Sequence, residues 1–308
     1  MRKIFVALLT IFVLHGSVRA QESLRVSLLG TGTPPPLMTR FGPSILVEAG
    51  KEKLLFDCGR GCIQRLVQLK IPPGDVYTLF LTHLHSDHVV GIPDLWLTGW
   101  SNGLRKVPLR VWGPIGTKEM MYNLNKAYDF DIRIRLYDTQ PPPQGVVVLA
   151  EDIKEGVVYE KNGAKVTAFN VDHRPVEPAF GYRIDYSGKS VVLSGDTTFS
   201  ENLIRFAQGA DLLVHEVVAA DLQRARYKSQ PQRAEAIIAH HTTPEQAGEI
   251  FTRVKPKLAV YSHISPPTAA AQDLIAPTRK TYSGPLEVGE DLMIIEVGEK
   301  VQVRRFAP

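Results

Sequence analysis

The chain has 308 residues, 44% of them hydrophobic and 22% charged, and a formal net charge of +4. This composition is typical of an ordinary soluble globular protein and is sufficient for one large α/β domain with a sizeable core. The first 20 residues contain three basic residues and no acidic residue, so the remainder has a net charge near +1 and no long basic run. The composition therefore provides no electrostatic signature for a polyanionic partner such as nucleic acid.

The N-terminus has the features of a secretory signal. Two basic residues precede the apolar run Ile4–Leu14, and Val18 and Ala20 occupy positions −3 and −1 of a cleavage site. The apolar run is too short for a membrane span, which needs about 18 apolar residues or more. We therefore expect a signal peptide over residues 1–20 and an exported protein, periplasmic or secreted, with an uncleaved anchor as the alternative.

Residues 21–308 are expected to form one domain, because no linker, repeat or low-complexity stretch interrupts them, and no membrane segment is expected after signal cleavage. Aliphatic and β-branched runs between turn residues predict strands at Leu24–Leu29, Ile45–Glu48, Lys53–Phe56, Val76–Leu81, Leu109–Trp112, Lys165–Asn170, Phe180–Asp185, Ser190–Leu193, Asp211–Val214 and Leu258–Tyr261. Helices are predicted at Arg60–Leu69, Lys118–Tyr128, Glu201–Ala207, Gln232–His240 and Pro244–Val254. This mixture predicts sheets packed face to face with helices outside.

The segment Thr82–His88 is the densest group of possible metal ligands. It contains three histidines and one aspartate directly after the apolar run Val76–Leu81. Imidazole and carboxylate together suit zinc or a similar divalent ion, and a strand leading into a tight loop can direct alternate side chains at two metals. A histidine-rich surface loop is the alternative, and it accounts poorly for four ligands at this spacing after a buried strand.

Further candidate ligands lie just after other predicted strands. In chain order they are Asp172, His173, Asp196, His215, Glu216 and His263. Ligand sites in open α/β sheets assemble at the carboxyl ends of strands, so we expect these side chains to converge. One such residue alone would be a turn or cap residue, but with Thr82–His88 these residues follow five predicted strands, which indicates a site.

These motifs, from Leu28-Leu29-Gly30-Thr31-Gly32-Thr33 to Tyr261-Ser262-His263, resemble the metallo-β-lactamase-fold hydrolases, and within them the ribonuclease Z and arylsulfatase-like branch. The resemblance implies an α/β fold, a four-layer αβ/βα sandwich, with two divalent metal ions at one edge of the sheets. The implied ligands are, for the first metal, His83, His85 and His173; for the second, Asp87, His88 and His263; and for both, Asp196. Zinc is the expected ion, with manganese and iron as alternatives, because the same ligands accept all three.

The resemblance also implies roles around the metals. Asp57, in Leu55-Phe56-Asp57-Cys58-Gly59, would brace the site through hydrogen bonds. The ribonuclease Z-like motifs Leu213-Val214-His215-Glu216 and His241-Thr242-Thr243 make His241 a proton donor or oxyanion stabiliser oriented by Glu216. Asp87 would steer a proton from a metal-bridging water, and the hydroxide that remains is the implied nucleophile. For His241 the alternative is a surface histidine beside a helix cap.

The expected substrate depends on departures from ribonuclease Z. That family usually carries a long tRNA-gripping arm between the residues matching His173 and Asp196, which are only 23 positions apart here. With the export signal and near-neutral charge, the short interval argues against nucleic acid as a partner. The runs Arg40–Ser44 and Asp94–Trp100 resemble exported arylsulfatase-like members, which favours a zinc-dependent hydrolase of a small sulfate or phosphate ester.

Three other functions stay open from the sequence. They are a ribonuclease Z-like phosphodiesterase or endoribonuclease, a lactonase or β-lactamase-type hydrolase, and a non-catalytic metal-binding protein. The last would leave His241 and Glu216 without a role. A homodimer is also expected, because dimers are common in this branch.

Overall fold

The computed structural model describes residues 23–306, so the expected signal peptide lies outside the described residues. The strands are β1 (Leu24–Gly30), β2 (Ser44–Ala49), β3 (Glu52–Phe56), β4 (Thr78–Phe80), β5 (Leu109–Gly113), β6 (Val148–Asp152), β7 (Gly156–Lys161), β8 (Ala164–His173), β9 (Val176–Tyr186), β10 (Lys189–Leu193), β11 (Leu212–Val218), β12 (Leu258–Ser265), β13 (Leu286–Val288), β14 (Ile294–Val297) and β15 (Val301–Arg304). The α-helices are α1 (Cys62–Gln68), α2 (Ser86–Val89), α3 (Ile92–Ser101), α4 (Thr117–Ala127), α5 (Asp129–Tyr137), α6 (Glu201–Ala207), α7 (Ala220–Arg226), α8 (Pro231–Ala239), α9 (Pro244–Val254) and α10 (Ala271–Thr278).

The strands form two mixed sheets. The first has the order β15-β14-β1-β2-β3-β4-β5-β6, and the second has the order β13-β12-β11-β10-β9-β8-β7. Strands β3 to β6 are parallel to one another, as are β10 to β13. Their carboxyl ends are where loops can bring side chains from several strands together.

Three groups of buried apolar side chains define the layers. The first lies between the two sheets, where residues of β1 such as Val26 pack with residues of β10 such as Val191. The second lies between the first sheet and helices α1, α3 and α4, and the third between the second sheet and helices α6, α9 and α10. This arrangement is the expected four-layer αβ/βα sandwich.

The two sheets are also joined by a buried carboxylate. The Glu52 side chain accepts hydrogen bonds from Tyr159 Oη and Asn162 Nδ2, both at 2.5 Å, and pairs with Lys161 Nζ at 3.2 Å. Burial raises the pKa of Glu52, but these hydrogen bonds outweigh it and hold the pKa below its ordinary value. The ionised carboxylate therefore stabilises this contact.

The interval between His173 and Asp196 contains β9 and β10, which form an antiparallel hairpin. It holds no projecting arm, as the short spacing in the sequence predicts. Within residues 23–306, no helix combines the length and the apolar character that a membrane span requires.

Candidate metal centre

The predicted metal ligands come from loops and strand ends at one edge of the two sheets. His83 and His85 lie in the connection from β4 to α2, and α2 carries Asp87 and His88. From the second sheet come the last residue of β8, a loop residue after β10 and a residue of β12, which are His173, Asp196 and His263. The structure thus brings all seven predicted ligand positions together.

Asp196 lies at the middle of this group. Its Oδ2 atom is 3.9 Å from His83 Nε2 and 4.0 Å from His173 Nε2, on one side of the site. The same atom is 3.4 Å from His88 Nε2 and 3.3 Å from His263 Nε2. One carboxylate oxygen therefore faces both predicted ligand sets, which is the position that a bridging ligand would occupy.

The remaining contacts divide the site into two donor sets. His85 Nδ1 lies 2.9 Å from His83 Nε2 and 3.4 Å from His173 Nε2, so three ring nitrogens converge. Asp87 Oδ2 lies 3.7 Å from His88 Nε2 and 3.4 Å from His263 Nε2. Each set groups donor atoms closely enough for one ion to contact them all.

A carboxylate behind the ligands fixes two imidazole rings. Asp57 accepts the Thr82 backbone N–H at 2.8 Å, the Thr82 hydroxyl at 2.9 Å and His88 Nδ1 at 2.8 Å. The Thr82 hydroxyl also lies 3.0 Å from His83 Nδ1. A proton on Nδ1 of each ring leaves Nε2 with the lone pair that a metal requires.

His173 is oriented in the same way, by a backbone group. Its Nδ1 lies 3.0 Å from the carbonyl oxygen of His240, which leaves Nε2 facing Asp196. The His240 carbonyl was not predicted from the sequence, because a main-chain acceptor has no sequence signature. His215 points its Nδ1 at the Glu216 carbonyl, 2.7 Å away, and its ring packs against Phe251 behind the site.

Glu216 connects three elements around the site. Its Oε1 accepts the backbone N–H groups of Thr197 and Thr242, both at 3.1 Å, and contacts His241 Nδ1 at 3.1 Å. Burial lowers the pKa of His241, but the charges of Glu216 and Asp196 outweigh it and raise the pKa to about 9. The raised pKa favours the imidazolium form of His241, with a proton on each ring nitrogen, beside the predicted metal ligands.

The donor set fits divalent metal ions. Burial lowers the pKa of His88, but the carboxylates of Asp196, Asp57 and Asp87 outweigh it and raise the pKa well above its ordinary value. A bound cation would neutralise this excess of negative charge. Among the described residues, His88 Nε2 is buried without a hydrogen-bond partner, as is expected of an atom that coordinates a metal.

The local backbone is adapted to position these side chains. Asp57 and His263 have φ angles of 56° and 43°, in the left-handed region that residues other than glycine rarely adopt. Gly195, with φ of 60°, makes the turn before Asp196, and a Cβ there would collide with the carbonyl oxygen of Phe180. Strained or glycine-dependent backbone of this kind clusters at functional sites.

The site opens into a cleft of about 590 Å³. Its lining includes residues of the Pro34–Pro36 loop and of helices α7 and α8, together with His85, Asp87, His173, Asp196, His241 and His263. Trp96 and Trp100 are instead fully buried in the core beneath the first sheet, which favours the structural interpretation of that pair. Arg40 binds Thr31 and the Gly289 carbonyl, so the Arg40–Ser44 run stabilises loops and, among the described lining residues, contributes none to the cleft.

Residues 52–264 match the model of the beta-lactamase superfamily domain, and the chain belongs to this superfamily. A metallo-β-lactamase-fold protein from Bacillus subtilis superposes with a TM-score of 0.67 at 19% identity, covering 89% of this chain and 99% of that one. The short form of human tRNase Z superposes with a TM-score of 0.65 at 23% identity, with the same two coverages. These similarities confirm the predicted fold and a hydrolase of this superfamily.

A more similar sequence is the Ribonuclease Z of Mycolicibacterium gilvum, which is 39% identical over 284 residues, or 89% of this chain and 96% of that protein. This match contradicts the expectation of a small-molecule ester as substrate and of no nucleic-acid partner. The missing arm was the main reason for that expectation. The aligned region covers 96% of that Ribonuclease Z, so that protein has no long arm that this chain lacks. The short interval from His173 to Asp196 therefore does not distinguish this chain from proteins named Ribonuclease Z.

Proposed function

We propose that this protein is a dinuclear metal-dependent phosphodiesterase of the ribonuclease Z type, which hydrolyses a phosphodiester bond in RNA, with a tRNA precursor as the substrate to test first. The similarity to a ribonuclease Z along nearly the whole of both chains carries this proposal. The two donor sets that share Asp196 support it, because in-line displacement at phosphorus is a reaction that paired metal ions promote.

The proposed ligands are those predicted from the sequence. His83, His85 and His173 would hold one ion, and Asp87, His88 and His263 the other, with Asp196 shared. Bound at these positions, divalent ions would polarise the phosphate and make a water molecule more acidic. Zinc fits the histidine-rich donor set, and manganese or iron would be accepted by the same atoms.

The chain's own residues would then manage protons and orientation. In hydrolysis an oxygen–phosphorus bond forms with water, and the bond from phosphorus to the leaving ribose oxygen breaks. That oxygen requires a proton, and His241, protonated through its contact with Glu216, is the proposed donor. Asp87 lies within the same cleft and is the proposed acceptor for the proton that the attacking water loses.

Secretion is a separate proposal, because the sequence features that favour it lie in residues 1–20 alone. We propose that cleavage after Ala20 gives a mature chain that begins at Gln21. Sequencing the N-terminus of protein from the cell envelope and from the cytosol tests this proposal. A cytosolic chain that retains Met1 would contradict it.

The substrate is tested with the chain that begins at Gln21. A tRNA transcript with a 3′ extension, an aryl phosphate diester and an aryl sulfate are assayed in parallel, each with and without a chelator. We expect chelator-sensitive cleavage of the transcript at one position, with a kcat/KM above that of the small diester. Hydrolysis of the aryl sulfate without cleavage of the transcript would overturn the proposal, and the variant His85→Ala serves as the inactive control.

A further inference from the structure

An arginine–tyrosine–arginine group lines the cleft beside the proposed metal centre. Arg226 ends helix α7, Tyr227 follows it, and Arg233 lies in the first turns of α8. The guanidinium carbons of Arg226 and Arg233 lie 5.6 Å and 4.9 Å from the centre of the Tyr227 ring. These distances are typical of cation–π contacts, which hold the arginine side chains in place without neutralising them.

Neither arginine is used to stabilise the fold through an ion pair. Among residues 23–306, no carboxylate lies within 4 Å of the guanidinium nitrogens of Arg226 or Arg233. Arg224, on the same helix α7, pairs with Glu235 at 2.7 Å and also contacts Asp221. Apart from one long hydrogen bond from Arg233 Nη1 to Gln230 Oε1 at 3.5 Å, the two cleft arginines are thus free to bind a ligand, whereas their neighbour is not.

The charge around the cleft indicates what that ligand is. Apart from the histidines, the charged side chains that line it are Asp87, Asp196, Arg226 and Arg233. The two aspartates belong to the proposed metal centre, so the arginines provide the positive charge of the cleft wall. Their arrangement also follows helical geometry: Gln223, Arg226 and Tyr227 all line the cleft, and spacings of three and four residues place them on one helix face.

We propose that Arg226 and Arg233 bind phosphate groups of the RNA strand next to the scissile phosphate. The inference rests on the proposed function and adds the residues that position its substrate. Guanidinium groups bind phosphate oxygens through two parallel N–H bonds and are less strongly hydrated than ammonium groups, so they suit this role. Tyr227 is a positioning residue that holds both guanidinium groups over the cleft.

This arrangement explains how a chain of near-neutral charge would bind a polyanion without a long arm. Binding strength depends on the number of phosphates that cationic side chains contact, and each contact releases counterions. Two arginines without ion pairs, beside the proposed metal pair, would provide these contacts locally. The net charge of the whole chain is then a poor guide to its partner.

The test measures RNA binding and RNA cleavage separately. Binding of a fluorescent tRNA transcript with a 3′ extension is followed by anisotropy across a range of salt concentrations, in a His241→Ala background that keeps turnover slow. Adding Arg226→Ala and Arg233→Ala should raise Kd about 10-fold or more. The slope of log Kd against log salt concentration should fall by about 1.5 to 2, which corresponds to roughly one phosphate contact for each arginine. The matched control, Arg224→Ala, should change neither quantity.

A second variant separates charge from geometry. Tyr227→Leu keeps an apolar side chain but removes the ring that holds the guanidinium groups. It should therefore raise Kd less than the double arginine variant does and leave the salt dependence of log Kd nearly unchanged. All three positions are exposed or partly exposed, and the thermal unfolding midpoint of each variant should stay close to that of the parent chain.

The outcomes distinguish the two proposals. If the double arginine variant binds the transcript as tightly as the parent at every salt concentration, the inference is wrong, whether or not the unmodified chain cleaves RNA. If the unmodified chain fails to cleave RNA but the arginine-dependent binding is present, the proposed function is wrong and the RNA site stands. If the chain does not bind RNA at all, both are overturned.

Discussion

Replacing Asp57 by Asn tests how the fold prepares the metal centre. The Asp57 carboxylate accepts hydrogen bonds from the Thr82 backbone, the Thr82 hydroxyl and His88 Nδ1. In the amide, an N–H group takes the place of one carboxylate oxygen. With the amide nitrogen at the Oδ1 position, its N–H faces the backbone N–H of Thr82; with the amide nitrogen at the Oδ2 position, it faces a proton on His88 Nδ1. Either orientation sets two donors against each other, and the second disturbs His88. If the proton moves to Nε2, the ring loses the lone pair that would bind the metal.

The size of the effect follows from this conflict. Changing a group that orients a metal ligand typically weakens metal affinity or activity about 10- to 100-fold, which is about 1.4 to 2.7 kcal/mol. The lost charge-assisted hydrogen bonds should also lower the free energy of unfolding by about 1.5 to 3 kcal/mol. We therefore expect Asp57→Asn to bind zinc 10- to 100-fold more weakly, measured by competition with a chromophoric chelator.

Asp291→Asn is a matched control, because Asp291 is a buried carboxylate with similar partners outside the site. It accepts the backbone N–H and the hydroxyl of Thr31, the backbone N–H of Phe41 at 2.7 Å, and Arg65 at 2.9 Å. This variant should lower the unfolding midpoint but leave zinc affinity unchanged. Zinc affinity in Asp57→Asn equal to that of the parent, or an equal loss in both variants, would refute the reasoning.

Three further predictions concern single residues. His241→Ala should lower kcat on RNA by about 10²- to 10⁴-fold with metal content retained, and unchanged kcat would return His241 to a structural role. Glu52→Gln should lower the free energy of unfolding most at neutral pH. Because the pKa of Glu52 is lowered in the folded chain, the ionised carboxylate stabilises the fold fully above the ordinary carboxyl pKa. This stabilisation is lost as the pH falls through the lowered, folded-state pKa. Chemical denaturation at neutral pH and at about pH 3 should show that the difference in unfolding free energy between parent and variant shrinks on acidification. A constant difference would contradict the role of Tyr159 as a donor to the carboxylate. Gly195→Ala should lower both the unfolding midpoint and the bound metal, because it displaces Asp196, and normal metal content would show that the turn tolerates a side chain.

The strands that build the sandwich were predictable because their faces are buried. The ten strands expected from the sequence all appear in the structure, with ends that differ by a few residues. Five strands were not predicted: β6, β7, β13, β14 and β15. Of these, β6 and β7 lie at sheet edges, and most of their residues are exposed or half-buried. Helices α2, α3, α5, α7 and α10 were not predicted either. For α5 the reason is that Asp129–Tyr137 alternates polar and apolar residues and has no helical period.

The metal-ligand positions were predictable because they lie in the last residues of a buried strand, or in the loop or the short helix α2 that follows one. The arginine–tyrosine–arginine group was not, because it forms only when α7 and α8 pack beside the cleft. The lack of an ion pair at Arg226 is likewise a property of the tertiary structure. The substrate was predicted wrongly because total charge and the length of one interval say little about which side chains line a cleft.

The central claim is that two metal ions at this site drive cleavage of RNA. It is tested most directly by removing metal from the chain that begins at Gln21, adding zinc back in steps, and measuring cleavage of the 3′-extended tRNA transcript at each step. The account predicts that cleavage is absent without metal and reaches its plateau at two zinc ions per chain. A plateau at one ion, or cleavage that persists in the metal-free protein, would contradict it.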